Sequence, residues 1–202
     1  MAGAPRTTSL RSEDAVSGGP DLPATAPRRR VLVAVASRHG ATRDIARAIG
    51  DRLEAGSAGR ACGLTAVVLP VEQHPDPASY DAVVLGSAVY AGRWLEPARE
   101  YATRYASALR ERPVWLFSSG PIGAPPFPPD EPHDAGPMRQ VTGARAHRVF
   151  PGRLDKQLLS FGERAMVTAM RAPVGDFREW SAVSAWADAV AAQLATEWAV
   201  VR

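Results

Sequence analysis

The sequence predicts an α/β protein built on a doubly wound parallel sheet. Three observations carry this expectation. Short apolar runs alternate with stretches of helical periodicity along most of the chain. The first run, Val31-Leu32-Val33-Ala34-Val35-Ala36, contains no polar residue, the mark of a strand covered on both faces. Short loops rich in Gly and hydroxyl residues follow three of the strands, and ligands of such sheets collect at the carboxyl ends of the strands.

The elements follow in order. Residues 1–29 combine Ser, Thr, Gly, Pro and Ala and lack the apolar core of a secretory signal, so they read as a disordered N-terminal extension to a domain over residues 30–200. After the first strand, Ser37 to Thr42 forms a loop. Ile45, Ile49 and Leu53 recur at helical spacing and predict a helix ending near Gly56. Leu64 to Leu69 and Ala82 to Leu85 are the second and third strands. Pro97 suits the first turn of a helix whose Tyr101, Tyr105 and Leu109 share one face. Pro113 to Phe117 is the fourth strand. A Pro-rich loop spans residues 119–145, and His147 to Phe150 is a short fifth strand. An extra helix is expected near residues 158–170. The last helix, near Trp180 to Leu194, presents Val183, Trp186, Val190 and Leu194 on one side. Strands alternating with helices imply right-handed crossovers and a three-layer α/β/α arrangement.

Composition excludes several classes. The 202 residues are 46 % hydrophobic, enough to cover both faces of a sheet. The formal charge of +3 sits largely in the first 30 residues, which hold five arginines against three acids, so a nucleic-acid surface is not indicated. Cys62 is the single cysteine, which rules out an internal disulfide and a thiolate metal cluster. His39, His74, His133 and His147 lack metal-ligand spacing and read as surface or loop residues. No apolar run approaches the ~20 residues of a membrane-spanning helix. The expectation is a cytoplasmic protein without a transmembrane segment, at most peripheral to a membrane.

Three loops can carry chemistry. In Ser37-Arg38-His39-Gly40-Ala41-Thr42, a phosphate would meet backbone N–H groups, the positive end of a helix dipole and two hydroxyls. Gly40 permits close approach, and Arg38 and His39 could add donors. The second loop, Gly86-Ser87-Ala88-Val89-Tyr90-Ala91-Gly92-Arg93-Trp94, offers backbone groups to the polar edge of a planar ring, an aromatic face, and a cation for a ring that becomes anionic on reduction. The third, Ser118-Ser119-Gly120-Pro121-Ile122-Gly123, can present further backbone donors. The sequence has no G-x-x-x-x-G-K-[ST] and no G-x-G-x-x-G after the first strand, so nucleotide-triphosphate and dinucleotide loops are absent. A phospho-receiver would need acids where Ser37-Arg38-His39 and Gly86-Ser87 stand. No protein nucleophile or catalytic triad is evident.

Together the loops resemble those of the flavodoxin superfamily, whose first loop reads roughly [ST]-x-x-G-x-T. Ser37, Gly40 and Thr42 match it. Within the superfamily the chain is most similar to menaquinone-dependent protoporphyrinogen dehydrogenases and their flavodoxin-domain relatives. That likeness rests on Val35 to Thr42, Tyr80 to Gly92, Gly175-Asp176-Phe177-Arg178-Glu179-Trp180 and the extra helix. The resemblance implies a sheet order of 2-1-3-4-5 and non-covalent FMN. It maps the cofactor contacts onto Ser37, Arg38, His39, Gly40, Ala41 and Thr42, onto Ser87, Ala88, Val89, Tyr90, Ala91, Gly92 and Arg93, and onto Ser118, Ser119, Gly120 and Gly123. It further implies an oxidoreductase in which flavin N5 is the reactive centre. Electrons would come from a reduced organic substrate such as a porphyrinogen, or from a redox partner protein, and pass to a quinone or similar acceptor. A non-enzymatic electron carrier and a flavin-free interaction protein stay open as alternatives. Apolar Phe161, Met166 and Met170 of the extra helix are candidates to line a substrate pocket, with core packing the competing role.

Overall fold

The computed structural model describes residues 28–120, 131–169 and 171–200. The chain runs through β1 (Arg29–Ala36), α1 (Ala41–Ala55), α2 (Ser57–Cys62), β2 (Leu64–Pro70), β3 (Ala82–Tyr90), β4 (Arg93–Trp94), α3 (Glu96–Arg104), α4 (Ala106–Arg110) and β5 (Val114–Ser119). It continues through α5 (Ala135–Thr142), β6 (Ala146–Phe150), β7 (Arg153–Leu154), α6 (Phe161–Ala169), β8 (Gly175–Asp176) and α7 (Trp180–Val200). The main sheet has the order β2-β1-β3-β5-β6, all parallel, with the two-residue β4 antiparallel to the end of β3. With β4 set aside, this is the expected 2-1-3-4-5.

The unbroken apolar run of β1 has the cause inferred from it. No residue from Val31 to Ala36 is more than 2 % exposed. Because side chains alternate along a strand, Val31, Val33 and Val35 meet Ile45, Ile49 and Leu53 of α1 and Val183, Val190 and Leu194 of α7. Leu32, Ala34 and Ala36 face the other way, toward Ala98, Tyr101 and Ala102 of α3 and Leu109 of α4. Each large apolar side chain so buried stabilises the fold by about 1.5–3 kcal/mol.

Several boundaries differ from the sequence reading, each for a physical reason. β3 does not stop at Leu85. Gly86 is paired with Val35 on one side and Phe117 on the other, and pairing on both edges carries the strand through the glycine to Tyr90. The segment 86–94 is therefore mostly strand. It reverses at Ala91 and Gly92, whose φ values of 48° and 75° make the two-residue turn that suits a right-twisted hairpin. The loop expected over residues 119–145 contains α5, masked in the sequence by Gly136 and Pro137. Proline is tolerated there because it falls in the first turn, where its missing N–H has no partner to lose. The helix through Tyr105 breaks into α3 and α4. α2 was not anticipated, and α7 runs beyond Leu194 to Val200. Residues 121–130, Met170 and the segment 1–27 lie outside the described residues.

β1 begins at Arg29, one residue before the expected boundary at residue 30. Arg29 Nη1 lies 3.2 Å from Asp81 Oδ1, and Arg30 N donates to Asp81 Oδ2 at 2.7 Å. The two guanidinium groups lie over the rings of Trp198 and Tyr80. A chain beginning at Val31 should be less stable than one beginning at Arg28 by about 1–2 kcal/mol, or roughly 2–8 °C in Tm. Thermal melts of the two chains check this, and coincident melting would show that Asp81 does not anchor the first strand.

Candidate functional site

Register brings the three predicted loops together. Ala36 stands opposite Ser87, and Ala88 opposite Ser119, so β1, β3 and β5 end side by side. A cleft of about 170 Å³ opens at this edge. From the first loop it is lined by Ser37, Arg38, His39, Ala41 and Thr42. The second contributes Ala88, Val89, Tyr90 and Ala91, and the third Ser119 and Gly120.

Other predicted contacts do not face the cleft. Ser87 is wholly buried; its hydroxyl donates to Ala88 O at 2.8 Å and accepts from Leu95 N at 3.0 Å. Gly92 serves the β3–β4 turn, and Arg93 reaches toward Asp134, 3.7 Å away. Ser118 and Ser119 both belong to β5, so they point to opposite faces, and only Ser119 lines the cleft. Gly40 is not a wall residue but shapes the loop. Its φ of 87° is left-handed, and it caps α1 by accepting from Asp44 N at 3.0 Å. Gly123 lies outside the described residues.

The first loop fits a phosphate. Ser37 Oγ is buried and has no hydrogen-bond partner among the described residues. Such a hydroxyl costs about 1–3 kcal/mol when left unmade, so it points to a ligand. Thr42 is also buried, at 3 % exposure. Between them the free N–H groups of the first turn of α1 supply donors and a partial positive charge.

The expected extra helix forms a further wall, but the two short strands that frame it were not anticipated. After β6 the chain makes β7, a turn over Lys156–Leu158 capped by Asp155, then α6 and β8, which pairs with β7 to close the excursion. Gly152, Arg153, Leu154, Val167 and Ala172 complete the cleft. Phe161, expected in a pocket, is instead 90 % exposed; among the described side chains of α6, which do not include Met166, Val167 is buried and reaches the cleft. Ser160 and Glu163 form a reciprocal N-terminal cap, with Ser160 N donating to Glu163 Oε2 at 2.8 Å and Glu163 N to Ser160 Oγ at 3.4 Å. The S-x-x-E pattern is the sequence signal that would have placed this helix start.

Glu163 also reaches the first loop. Its Oε1 lies 3.2 Å from Arg38 Nε and 3.3 Å from His39 Nε2. Arg38 stacks over the Tyr90 ring at 5.5 Å. The Ser160 amide above all, then the Ser160 hydroxyl, His39 and Arg38, hold the Glu163 carboxyl at about 2, well below its ordinary 4.5. Burial, with the charge of Glu163 beside it, pushes the Tyr90 phenol up to about 12. A depressed carboxyl contributes stability that is complete above pH 4.5 and lost as pH falls toward 2. Glu163→Gln should therefore lower Tm at pH 6, and its Tm should converge with that of the native chain between pH 4.5 and 2. A constant gap in melts across that range would contradict the assignment.

The base of the excursion is clamped to α1. Arg178 pairs with Asp176 through Nε at 2.8 Å and Nη2 at 2.6 Å, and its Nη1 donates to Asp44 at 3.0 Å. Its guanidinium is raised by the Asp176 hydrogen bonds first, and Asp176 is correspondingly lowered. Asp44 sits in the first turn of α1, where an anionic ligand would feel its charge; Arg178 offsets it.

His147, read from sequence as a surface or loop residue, is buried, its side chain 1 % exposed. Its Nδ1 lies 2.9 Å from Glu131 Oε1, and its Nε2 lies 2.7 Å from Ser118 Oγ, which accepts from Trp94 Nε1 at 2.7 Å. A neutral His147 must donate from Nδ1 to the carboxylate, so Nε2 accepts from Ser118. The chain ties β4, β5 and β6 together beneath the cleft. Ser118→Ala would strand the Trp94 N–H in the core and should cost about 1–3 kcal/mol without weakening flavin binding. Equal stability, or loss of flavin, would place the hydroxyl elsewhere than in this network.

Among the described residues no group of three His, Cys, Asp or Glu could hold a metal ion, and no helix is long and apolar enough to cross a membrane.

The fold recurs in solved structures. The flavodoxin, WrbA-like protein of Agrobacterium tumefaciens superposes with a TM-score of 0.50 at 11 % identity, covering 84 % of this chain and 98 % of that one. A flavodoxin from the domain Archaea gives a TM-score of 0.49 at 16 % identity, covering 70 % and 97 %. A flavodoxin of Streptococcus pneumoniae TIGR4 gives 0.47 at 16 % identity, covering 81 % and 99 %. At 11 % identity the likeness to the WrbA-like protein is one of fold. No curated protein matches the chain. The family described as Flavodoxin domain matches residues 32–179, which span all three loops and the added wall. By this match the chain belongs to the flavodoxin-domain family and its cofactor is FMN, whose phosphate suits the Ser37 hydroxyl, unpartnered among the described residues.

Proposed function

We propose that this protein is an FMN-dependent oxidoreductase that takes electrons from a reduced organic substrate, in the manner of the protoporphyrinogen dehydrogenase-like flavoproteins, and passes them to a quinone or similar acceptor. The observation that carries the reading is the added wall. Leu154, Val167 and Ala172 put apolar surface beside the loops that would hold the ring, which suits an organic substrate. Bound FMN supplies the hydride- and electron-accepting ring. The chain binds and orients it. Ser37, Thr42 and the N–H groups of α1 take the phosphate, and backbone groups of Ala88 to Ala91 and of Ser119 and Gly120 line the ring's place. Tyr90 supplies an aromatic face at the same edge.

The test is steady-state kinetics under anaerobic conditions with a porphyrinogen and other reduced organic donors and with quinone acceptors. Saturable turnover is expected. Val167→Asp should remove turnover while flavin content, read from absorbance, is retained. Absence of saturation with every donor and acceptor, together with ready electron exchange with small dyes, would assign the protein as an electron carrier instead.

A further inference from the structure

We propose that α6 is a cover over the phosphate end of the cleft, fastened by Glu163 to Arg38 and His39, and that this fastening selects FMN over FAD. The proposal rests on FMN occupying the cleft with its phosphate on the Ser37–Thr42 loop. FMN ends at that phosphate. FAD continues from it through a second phosphate to adenosine, so it needs an open path beyond the loop and tolerates no fixed anion there.

The molecule sets such an anion at the loop. Glu163 lies against the outer side chains of the loop, with one carboxylate oxygen shared by Arg38 and His39. Its side chain is 14 % exposed, and its other oxygen is held by the Ser160 amide, so it is not free to swing away. The two cationic-capable side chains of the loop are thereby engaged by the cover, which leaves the phosphate to Ser37, Thr42 and backbone N–H groups. Beside the loop, the space between His39, Tyr90, Leu154, Leu158 and Leu159 measures only about 20 Å³, room for about one water molecule, so the excursion that carries α6 packs closely against the loop.

The experiment uses the full chain and measures Kd for FMN, FAD and riboflavin by flavin fluorescence, with FMN dissociation rates. Glu163→Gln keeps the cap with Ser160, because glutamine serves equally at that position, but removes the charge that holds Arg38. The FAD-to-FMN ratio of Kd values should fall by about threefold in Glu163→Gln, as suits a pair whose Arg38 side chain is half exposed, and further in Glu163→Lys, where Arg38 is repelled. FMN should dissociate faster in the same order, and riboflavin affinity should stay near that of the native chain. Hydrogen exchange supplies a readout that needs no variant: FMN should slow exchange over residues 161–169. A native chain that binds no flavin overturns the FMN assignment, and the cover with it. A native chain that binds FMN, with an unchanged ratio in both variants or no slowing over 161–169, overturns the cover alone.

Discussion

Gly86→Ala is expected to destabilise the protein by about 3 kcal/mol, near the upper end for overpacking a core. A Cβ at this position would stand 2.1 Å from two ring carbons of Phe117 and 2.6 Å from a third. Phe117 is wholly buried, with Phe150 and Trp186 at centroid distances of 6.1 and 6.3 Å. These rings hem in Phe117, and Gly86 is paired on both sides in the middle of the sheet. For a chain of this size the loss corresponds to a fall in Tm of about 6–12 °C. Phe117→Leu in the same chain should recover part of it, so the two changes would be non-additive. Thermal melts of the single and double variants decide the matter; a single variant melting with the native chain would mean that the sheet shifts to admit the methyl group.

The same pair of strands shows what a sequence can and cannot reveal. Val31 to Ala36 and Ala82 to Leu85 were legible because burial on both faces leaves an unbroken apolar record. The end of β3 was not, because Gly86, Ser87 and Ala88 have the composition of a loop and are held as strand by neighbours far away in sequence. That extension decided the fate of several candidates. With β5 also running to Ser119, the period of two sent Ser118 into the core and Ser119 to the cleft. His147 gave no local sign of burial, since its partners Ser118 and Glu131 come from other elements.

The first loop was legible for a different reason: its chemistry is local. Ser37, Gly40 and Thr42 lie within six residues of one another; Gly40 has the left-handed φ of its turn, and Ser37 and Thr42 line the cleft at its two ends. The wall opposite is non-local. Glu163 meets His39 across 124 positions, and no pattern around either residue announces the other. A helix with Phe161, Met166, Val167 and Met170 looks like core by composition, yet Phe161 faces solvent and Val167 faces the cleft.

Gly40→Val should weaken FMN at least tenfold while leaving riboflavin much less affected, the discrimination expected if the first loop holds phosphate. Gly40 has a φ of 87°, a left-handed conformation that a β-branched residue resists. No heavy atom lies within 4 Å of the position a Cβ would take, so there is no steric collision; the strain is in the backbone alone. Relieving it must turn the peptide that orients the N–H groups of α1, the groups proposed to hold the phosphate rather than the ring. Ser37→Ala and Thr42→Ala probe the same contact without backbone strain. Each removes one hydroxyl facing a charged acceptor, a loss of about 1.5–3 kcal/mol if the bond is made, or roughly 10- to 150-fold in Kd for FMN. Ser37→Ala also removes the buried, unpartnered hydroxyl. The flavin-free chain should therefore gain stability even as it loses FMN affinity. Titrations with FMN and riboflavin, paired with melts of the flavin-free chains, test both signs. Equal weakening of the two ligands would move the phosphate away from this loop. Lower stability of flavin-free Ser37→Ala would show that the hydroxyl already has a partner.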